Sequence, residues 1–385
     1  MLAGIRLRRP LVWIPLLALS LFLFSHLYLL PRNWYSYATR PLWDHSEAPK
    51  DHIQHYYAEG VPPDKLCSVH GWSKRETKAE LWDATIFSTE LDLLLIRLHE
   101  LSPLVTHFHI IESTTTFTGI SKPLLLKQAL DSNPSFAPFL PQIRYRTHQG
   151  RALRKELGEG PFAVENELRA AMSEFLRQEL SEREKKGGQE APVMLFSDVD
   201  EIVSRRTAGL LQACDFGAPM HLGLRDYLYS FEFEAGGTEG AASSWRAMAV
   251  QWNEWGRGRE EFFRHGKVTE RILVESGWHC SWCFRTISEF ITKATGYSHT
   301  DRLGSRPSAI LRPSNIQETI CTGSDFFHML PEAYSWREMV SKWRLLASKS
   351  FINAPHLLIE QADNDQFKYL LPGGCVREDS PWRNE

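Results

Sequence analysis

The feature that most constrains the fold is a short apolar run that leads directly into acidic residues. Val193–Phe196 reads Val-Met-Leu-Phe, and Ser-Asp-Val-Asp-Glu follows at residues 197–201. A buried strand followed by acids is typical of a parallel sheet that presents ligand-binding side chains at its carboxyl edge. The run therefore predicts that Asp198 and Asp200 lie at the rim of such a sheet.

The segments around this run alternate between strand and helix patterns. Val105–Glu112 is predicted to be a buried strand that ends in an acid, and residues 162–183 carry apolar side chains at helical spacing. A similar alternation continues to about residue 295. Strands that alternate with helices favour an α/β fold, in which helices flank a central sheet.

An apolar stretch at the N-terminus predicts how the chain is placed in the cell. Residues 11–30 are almost wholly apolar and follow a cluster of arginines. Such a stretch is long enough to cross a bilayer as a helix, and the positive charge before it predicts a cytosolic N-terminus. A cleaved signal peptide is the alternative. Because no clear small-x-small cleavage site follows Leu30, we favour a retained single-pass type II membrane anchor.

This interpretation divides the chain into a cytosolic tail at residues 1–10, a transmembrane anchor at 11–30, a stem at 31–79 and a lumenal domain at 80–385. The stem is predicted because prolines interrupt a polar stretch with little periodicity. The six cysteines would then lie in an oxidising compartment, although their spacing leaves any disulfide pairing open. The net charge of −3 gives no basic field that would recruit nucleic acid.

Asp198 and Asp200 are the candidate metal ligands. Two carboxylates at a strand end can turn toward one cation, and oxygen ligands suit Mn²⁺ or Mg²⁺. Such an ion would bind the diphosphate of a nucleotide-sugar. An Asp-x-Asp pattern alone is also common at solvated turns and helix caps. The apolar strand before it favours the metal site.

Three further residues are candidates for binding the nucleotide-sugar. Glu112 ends a predicted strand as Asp198 does, so both could face one crevice. Glu165 and Arg169 lie four residues apart on one predicted helix face. This pair is either a plain ion pair on a helix surface or a clamp on the pyrophosphate or sugar.

An enzyme that transferred the sugar of such a ligand with inversion would also need a group that accepts a proton from the acceptor hydroxyl. Asp301, His299 and Glu201 are the candidates, and the sequence does not rank them. Cys280 and Cys283 lie among tryptophan and histidine side chains. They could form a redox pair, or a disulfide that stiffens an aromatic loop lining a sugar pocket. A zinc site is disfavoured, because no second Cys or His pair lies at zinc-finger spacing.

Several motifs together resemble one known family. They are Trp82–Phe87, Glu90–Arg97, Ile111–Ser113, Phe117–Gly119, Phe196–Ile202 and Gly277–Phe284. In this order they resemble glycosyltransferase family 17, the family of the β-1,4-mannosyl-glycoprotein 4-β-N-acetylglucosaminyltransferases. By the family's pattern, Asp198 and Asp200 fall on the metal and nucleotide motif.

The resemblance implies a GT-A-like mixed sheet flanked by helices, with Mn²⁺ or Mg²⁺ as cofactor and UDP-N-acetylglucosamine as donor. It also implies an inverting transfer of N-acetylglucosamine to the core β-mannose of a glycoprotein N-glycan, with a β-1,4 link, at the Golgi membrane. The alternatives are another sugar or acceptor on the same fold, a catalytically silent lumenal lectin or scaffold, and a thiol oxidoreductase built on Cys280 and Cys283.

Overall fold

The computed structural model describes residues 13–23, 39, 47–55, 60–188, 190–235, 244–252, 263, 265–303, 307–327, 345–350 and 353–384. Residues 47–330 and 340–385 form one compact unit, which contains the sheet and the candidate site described below. A second unit comprises residues 1–46 and 331–339. The predicted cytosolic tail at residues 1–10 lies outside the described residues.

The transmembrane helix predicted at residues 11–30 is wrong. The described part of this stretch, residues 13–23, is helical. Among the described residues, no helix combines the length and the apolar character needed to cross a membrane. The single-pass type II attachment predicted from this helix therefore has no support.

The strands and helices of the larger unit follow one another through most of its length. The strands are β1 (Asp51–Ile53), β2 (Ser73–Lys74), β3 (Leu81–Phe87), β4 (Val105–Ser113), β5 (Ile143–His148), β6 (Val193–Phe196), β7 (Glu201–Val203), β8 (Cys214–Asp215), β9 (Met220–Leu228), β10 (Glu234–Ala235), β11 (Met248–Gln251) and β12 (Arg271–Ser281). The α-helices are α1 (Pro63–Val69), α2 (Leu91–Leu101), α3 (Leu125–Ser132), α4 (Pro161–Lys185), α5 (Arg205–Ala213), α6 (Ile287–Gly296), α7 (Pro307–Ile310), α8 (Pro313–Thr322) and α9 (His356–Glu360).

The main sheet has the strand order β1-β12-β9-β11-β6-β3-β4-β5, with β10 paired to β9 and β7 paired to β12. Strands β6, β3, β4 and β5 run parallel to one another. Strand β11 is antiparallel to both of its neighbours, so the sheet is mixed. A mixed sheet flanked by helices confirms the α/β part of the predicted fold class.

Strand β3 shows why the sheet has helices on both faces. All seven of its residues are buried, and successive side chains of a strand point to opposite faces. Trp82 and Ala84 join the apolar cluster that contains Leu168, Met172 and Phe175 of α4. Leu81 and Phe87 join the cluster that contains the leucines of α2. A strand with this composition needs cover on both sides.

Elements are also present before Glu80, where the folded domain was predicted to begin. Strand β1 pairs in parallel with β12, and β2 pairs with β8. A disulfide joins Cys67 of α1 to Cys214, which lies 147 positions further along the chain. These contacts tie residues of the predicted stem to the sheet. The boundaries of the predicted domains otherwise stay a prediction.

One buried arginine fixes the segment that follows β6. Arg97 of α2 is fully buried and donates from Nε and Nη2 to the carboxylate of Asp83 on β3, at 2.7 and 2.5 Å. Its Nη2 also donates to Ser197 Oγ at 2.7 Å. Its Nη1 donates to the backbone carbonyls of Asp198 and Glu201, at 3.0 and 2.7 Å. The acidic segment at residues 197–201, here called the acidic loop, is therefore bonded to the core through one guanidinium.

We expect Arg97→Leu to lower the free energy of unfolding by about 3–5 kcal/mol, the usual cost of leaving a buried charge without its partner. Asp83 would be the uncompensated group. Arg225→Leu is the control, because Arg225 pairs with Glu234 and Glu275 at the surface and such pairs contribute about 1 kcal/mol or less. Urea unfolding followed by tryptophan fluorescence measures both variants. Equal losses in the two would contradict the role of Arg97.

Candidate active site

A cavity lies at the carboxyl ends of the parallel strands β3, β4 and β6. Its lining comprises residues 86–90 at and after the end of β3, 113 and 115–117 at the end of β4, 122, 168 of α4, 198–200 after β6, and 292–293 and 296–297 at the end of α6. In open α/β sheets, ligands bind outside the carboxyl ends of the strands. Asp198 and Asp200 lie in its lining, at the sheet edge where the sequence predicts them.

Asp198 is held by an arginine from helix α4. Arg169 Nη1 and Nη2 donate to the two carboxylate oxygens of Asp198, at 3.1 and 3.2 Å. The same guanidinium donates to Glu165 Oε1 one helical turn earlier, at 3.0 and 2.8 Å. Burial would raise the pKa of Asp198, but Arg169 and His265 hold it well below its usual range. The predicted pair Glu165–Arg169 thus exists, and it extends to the acidic loop.

Glu201 closes the acidic loop on itself. Its Oε2 accepts a hydrogen bond from the backbone N–H of Asp198 at 3.0 Å, and its Oε1 accepts one from Ser244 Oγ at 3.1 Å. His265 Nε2 lies 3.4 Å from both the Glu201 and the Asp198 carboxylates. Burial acts to raise the pKa of Glu201, yet His265 brings it to about 2. Both carboxylate oxygens of Glu201 are therefore engaged in hydrogen bonds that stabilise the conformation of the loop.

Asp200 differs from its two acidic neighbours because its carboxylate has cations nearby but accepts no hydrogen bond within the described part of the chain. Lys293 Nζ is 3.7 Å from Oδ2, and His279 Nε2 is 3.9 Å from Oδ1. No hydrogen bond from a described residue reaches this carboxylate, although the residue is 9% exposed. Burial raises the pKa of Asp200, and Lys293 and His279 offset part of the rise. Its oxygens remain available to a ligand in the cavity.

His279 adds a second charged pair beside Asp200. It lies on β12 opposite Glu201 of β7 and Asp226 of β9, and its Nδ1 is 3.1 Å from Asp226 Oδ1. Burial lowers the pKa of His279, but Asp226, Asp200 and Glu201 outweigh it and raise the pKa to about 9. The ring is therefore an imidazolium at neutral pH. In this state both ring nitrogens carry protons and cannot act as a base.

Glu112 is fully buried beside the cavity, but its carboxylate points to the start of helix α3. It accepts from the backbone N–H groups of Leu126 and Lys127 and from the hydroxyl of Tyr145. Lys122 Nζ is 3.3 Å away. A carboxylate is stabilised there because the first N–H groups of a helix lack partners within it. The donor-binding role of Glu112 stays a prediction.

The remaining candidates lie beyond Glu165, on the segment that follows α6. Ser298 Oγ donates to Glu165 Oε2, and the ring of His299 packs edge-on against Phe162, with 4.9 Å between centroids. Burial lowers the pKa of His299, so the ring is neutral. Asp301 is exposed on the short turn Thr300–Leu303. No hydrogen bond or ion pair among the described residues joins it to Asp198 or Asp200.

Cys280 and Cys283 are joined by a disulfide, and both are buried. Cys280 belongs to β12, and its backbone N–H donates to the carbonyl of Asp200 at 2.9 Å. Trp282, between the two cysteines, stacks on Phe326 with 4.3 Å between centroids. The aromatic segment at residues 277–284 therefore contacts the acidic loop through the backbone hydrogen bond from Cys280 to Asp200.

Sequence reasoning missed several charged residues of the site. Lys293, His265 and Asp226 each stand alone in their segments, and no local pattern distinguishes them from surface residues. Arg97 did leave a signal. It lies three residues after Leu94 and four before Leu101, on the helix face that is otherwise apolar. A charged residue on a buried helix face needs a buried partner.

The fold and the cavity define an α/β protein with a candidate ligand site at a sheet edge carrying acids and bases. Within this class the chain belongs to glycosyltransferase family 17, whose sequence profile matches residues 6–378.

Curated relatives carry the name β-1,4-mannosyl-glycoprotein 4-β-N-acetylglucosaminyltransferase. The chain is 28% identical over 232 residues to the proteins of this name from Homo sapiens and Rattus norvegicus. It is 27% identical over 232 residues to that from Mus musculus. Each alignment covers 54% of this chain and 41% or 42% of the relative. The chain thus spans less than half the length of these curated relatives.

The raised pKa of His279 makes stability depend on pH. Because the folded pKa of about 9 exceeds the ordinary value of about 6.5, the charged ring stabilises the fold fully below about pH 6.5. This contribution is lost as the pH rises through about 9. We expect the free energy of unfolding, measured by urea titration, to fall from pH 6.5 to 9.5. His279→Gln should reduce that fall, and His52→Gln on β1 should not. An unchanged fall in His279→Gln would contradict the assignment.

Proposed function

We propose that the protein transfers N-acetylglucosamine from UDP-N-acetylglucosamine, with inversion, to the core β-mannose of N-glycans through a β-1,4 link. Membership of family 17 and the named activity of the curated relatives support this proposal. The observation on this chain that carries it is Asp200. A buried carboxylate that accepts no hydrogen bond from the described residues, at a cavity bordered by basic side chains, suits a site that takes up a cation together with an anionic ligand.

The basic side chains favour a diphosphate as that ligand. Arg169 lies over Asp198, and Lys293 lies between Glu90 and Asp200. Arginine and lysine are the residues that proteins use for phosphate recognition. Both sit within an excess of carboxylates, so their charges are largely compensated before a ligand arrives. These ion pairs would keep the site ordered without a ligand. Arg169 and Lys293 would then rearrange to contact a diphosphate when it binds.

The proposal includes a divalent cation, Mn²⁺ or Mg²⁺. No group of three His, Cys, Asp or Glu side chains among the described residues is placed to hold a metal. Ions of this type at nucleotide sites usually take one or two carboxylates and complete their shell with phosphate oxygens and water. Asp200 fits this role, as does Asp198, whose oxygens keep further lone pairs beside Arg169. The ion would neutralise the diphosphate and stabilise the departing nucleoside diphosphate.

The transfer also needs a base for the acceptor hydroxyl. As the hydroxyl oxygen attacks the anomeric carbon, its proton passes to the base, and the bond from that carbon to the diphosphate breaks. We place this role on Asp301 or His299, because Glu201 is committed to the acidic loop. His299 is neutral and adjoins the Glu165–Arg169 pair through Ser298. Asp301 is exposed, as a residue that meets a glycan acceptor from solvent must be.

We also propose that the protein acts in the Golgi lumen. All six cysteines are paired, in the disulfides Cys67–Cys214, Cys280–Cys283 and Cys321–Cys375. Disulfides of this kind persist in oxidising compartments and are rare in the cytosol. An N-glycan acceptor is consistent with the same compartment.

Asp200→Ala should lower the affinity for UDP in the presence of Mn²⁺ by at least about tenfold, a loss typical of a disturbed metal site. Calorimetry with UDP and Mn²⁺ measures this affinity, and Asp365→Ala, at an exposed turn, is the control. A panel of UDP-sugars with N-glycan acceptors then identifies donor and product. Glycan binding without transfer of any sugar would favour a silent lectin. Loss of activity in Cys280→Ala together with full activity in Asp200→Ala would favour an oxidoreductase.

Asp301→Asn should lower kcat by about 10²–10⁴, the usual contribution of a general base, with unchanged affinity for UDP. Steady-state kinetics with saturating donor and a separate UDP titration measure the two effects. His299→Gln is the paired variant. Full turnover in Asp301→Asn with loss in His299→Gln would assign the base to His299.

A further inference from the structure

Lys293 of helix α6 is set among groups from three other segments. Its Nζ is 2.7 Å from Glu90 Oε1, in the segment between β3 and α2, and 3.7 Å from Asp200 Oδ2. The ring of Phe284, after β12, lies 5.8 Å from Nζ. The side chain of Lys293 is 22% exposed and lines the cavity, whereas that of Glu90 is 2% exposed. The ammonium group therefore donates a hydrogen bond to Glu90 and is also exposed to the cavity.

The two carboxylates around Lys293 are bound differently. Glu90 accepts a hydrogen bond from Lys293 and another from the backbone N–H of Thr89 at 2.8 Å. The 3.7 Å between Lys293 Nζ and Asp200 Oδ2 is longer than a hydrogen bond. Lys293 therefore offsets the negative charge of Asp200 only by electrostatic attraction. An ammonium group has three donors, so Lys293 can turn to a new anion without leaving Glu90. The positive charge nearest Asp200 would then be shared with that anion.

We propose that Lys293 makes cation binding at Asp200 depend on the diphosphate. A divalent ion placed on Asp200 alone would stand next to the ammonium group, and the two positive charges would repel each other. A diphosphate gives Lys293 a negative partner and removes most of that repulsion. The ion and the nucleotide would then enter as a coupled pair. This inference rests on the proposed function and adds to it the residue that couples the binding of the ion to that of the nucleotide.

Coupling between two ligands is reciprocal, so it can be measured from the side of the ion. In the wild-type protein, Mn²⁺ alone should bind weakly, and UDP should raise its affinity strongly. Without the ammonium group, Mn²⁺ should bind about tenfold more tightly in the absence of UDP, within the usual range of coupling factors. The factor by which UDP raises the Mn²⁺ affinity should shrink accordingly.

The test uses the full chain as wild type, Lys293→Met, and Glu90→Gln/Lys293→Met. The double variant removes the buried charge that Lys293→Met leaves on Glu90, and it keeps a carbonyl oxygen to accept from Thr89. Lys127→Met is the control, since Lys127 pairs with Asp131 at the surface of α3. Titration with Mn²⁺, followed by the electron paramagnetic resonance signal of the free ion, gives each affinity with and without UDP.

The inference holds if the double variant binds Mn²⁺ alone about tenfold more tightly than wild type while Lys127→Met does not. It is overturned if Mn²⁺ affinity without UDP is equal or weaker in the double variant, or if wild type binds Mn²⁺ equally well with and without UDP. Those outcomes leave the proposed function standing. Failure of the wild type to bind Mn²⁺ and UDP together under any condition would overturn the proposed function, and this inference with it.

Discussion

The structure of the site depends on the bonds that Arg97 makes at the base of the acidic loop. One guanidinium satisfies the carboxylate of Asp83, the hydroxyl of Ser197 and two loop carbonyls in the interior. A charge is tolerated there because every group around it is bonded. The planar fork of arginine fixes directions as well as distances. The loop that carries Asp198 and Asp200 therefore has its backbone defined before any ligand binds.

Above this base, acids and bases alternate along the cavity. Glu165, Arg169 and Asp198 form one chain of contacts, and Glu90, Lys293 and Asp200 form another. His265 and His279 bring positive charge to the same loop. Like charges in such a cluster would otherwise repel one another, and the interleaved cations hold the pKa of Asp198 and Glu201 low, whereas burial leaves that of Asp200 raised. Asp200 has the weakest contacts of the three, and for that reason it is the one most open to an added cation.

Much of the sheet could be predicted from the sequence, because buried parallel strands are continuous apolar runs. Strands β4 and β6 and helix α4 lie where periodicity indicates them. Strand β12 could not be recognised from Gly277 and its aromatic neighbours, since its pairing with β9 and β7 comes from distant parts of the chain. The same holds for the site. The acids after β6 have a local sequence signal. The roles of Lys293 and His265 could not be predicted, because their partners come from distant segments that only the fold brings together.

The disulfide between Cys67 and Cys214, with the pairing of β1 on β12, has a practical consequence for making the protein. A fragment cut at the composition boundary near residue 80 would release Cys214 as an unpaired thiol and uncover the backbone of β12. An uncovered strand edge of this kind invites association between copies, and a free thiol invites crosslinking. An expression fragment that keeps the sheet edge closed has to begin upstream of Asp51.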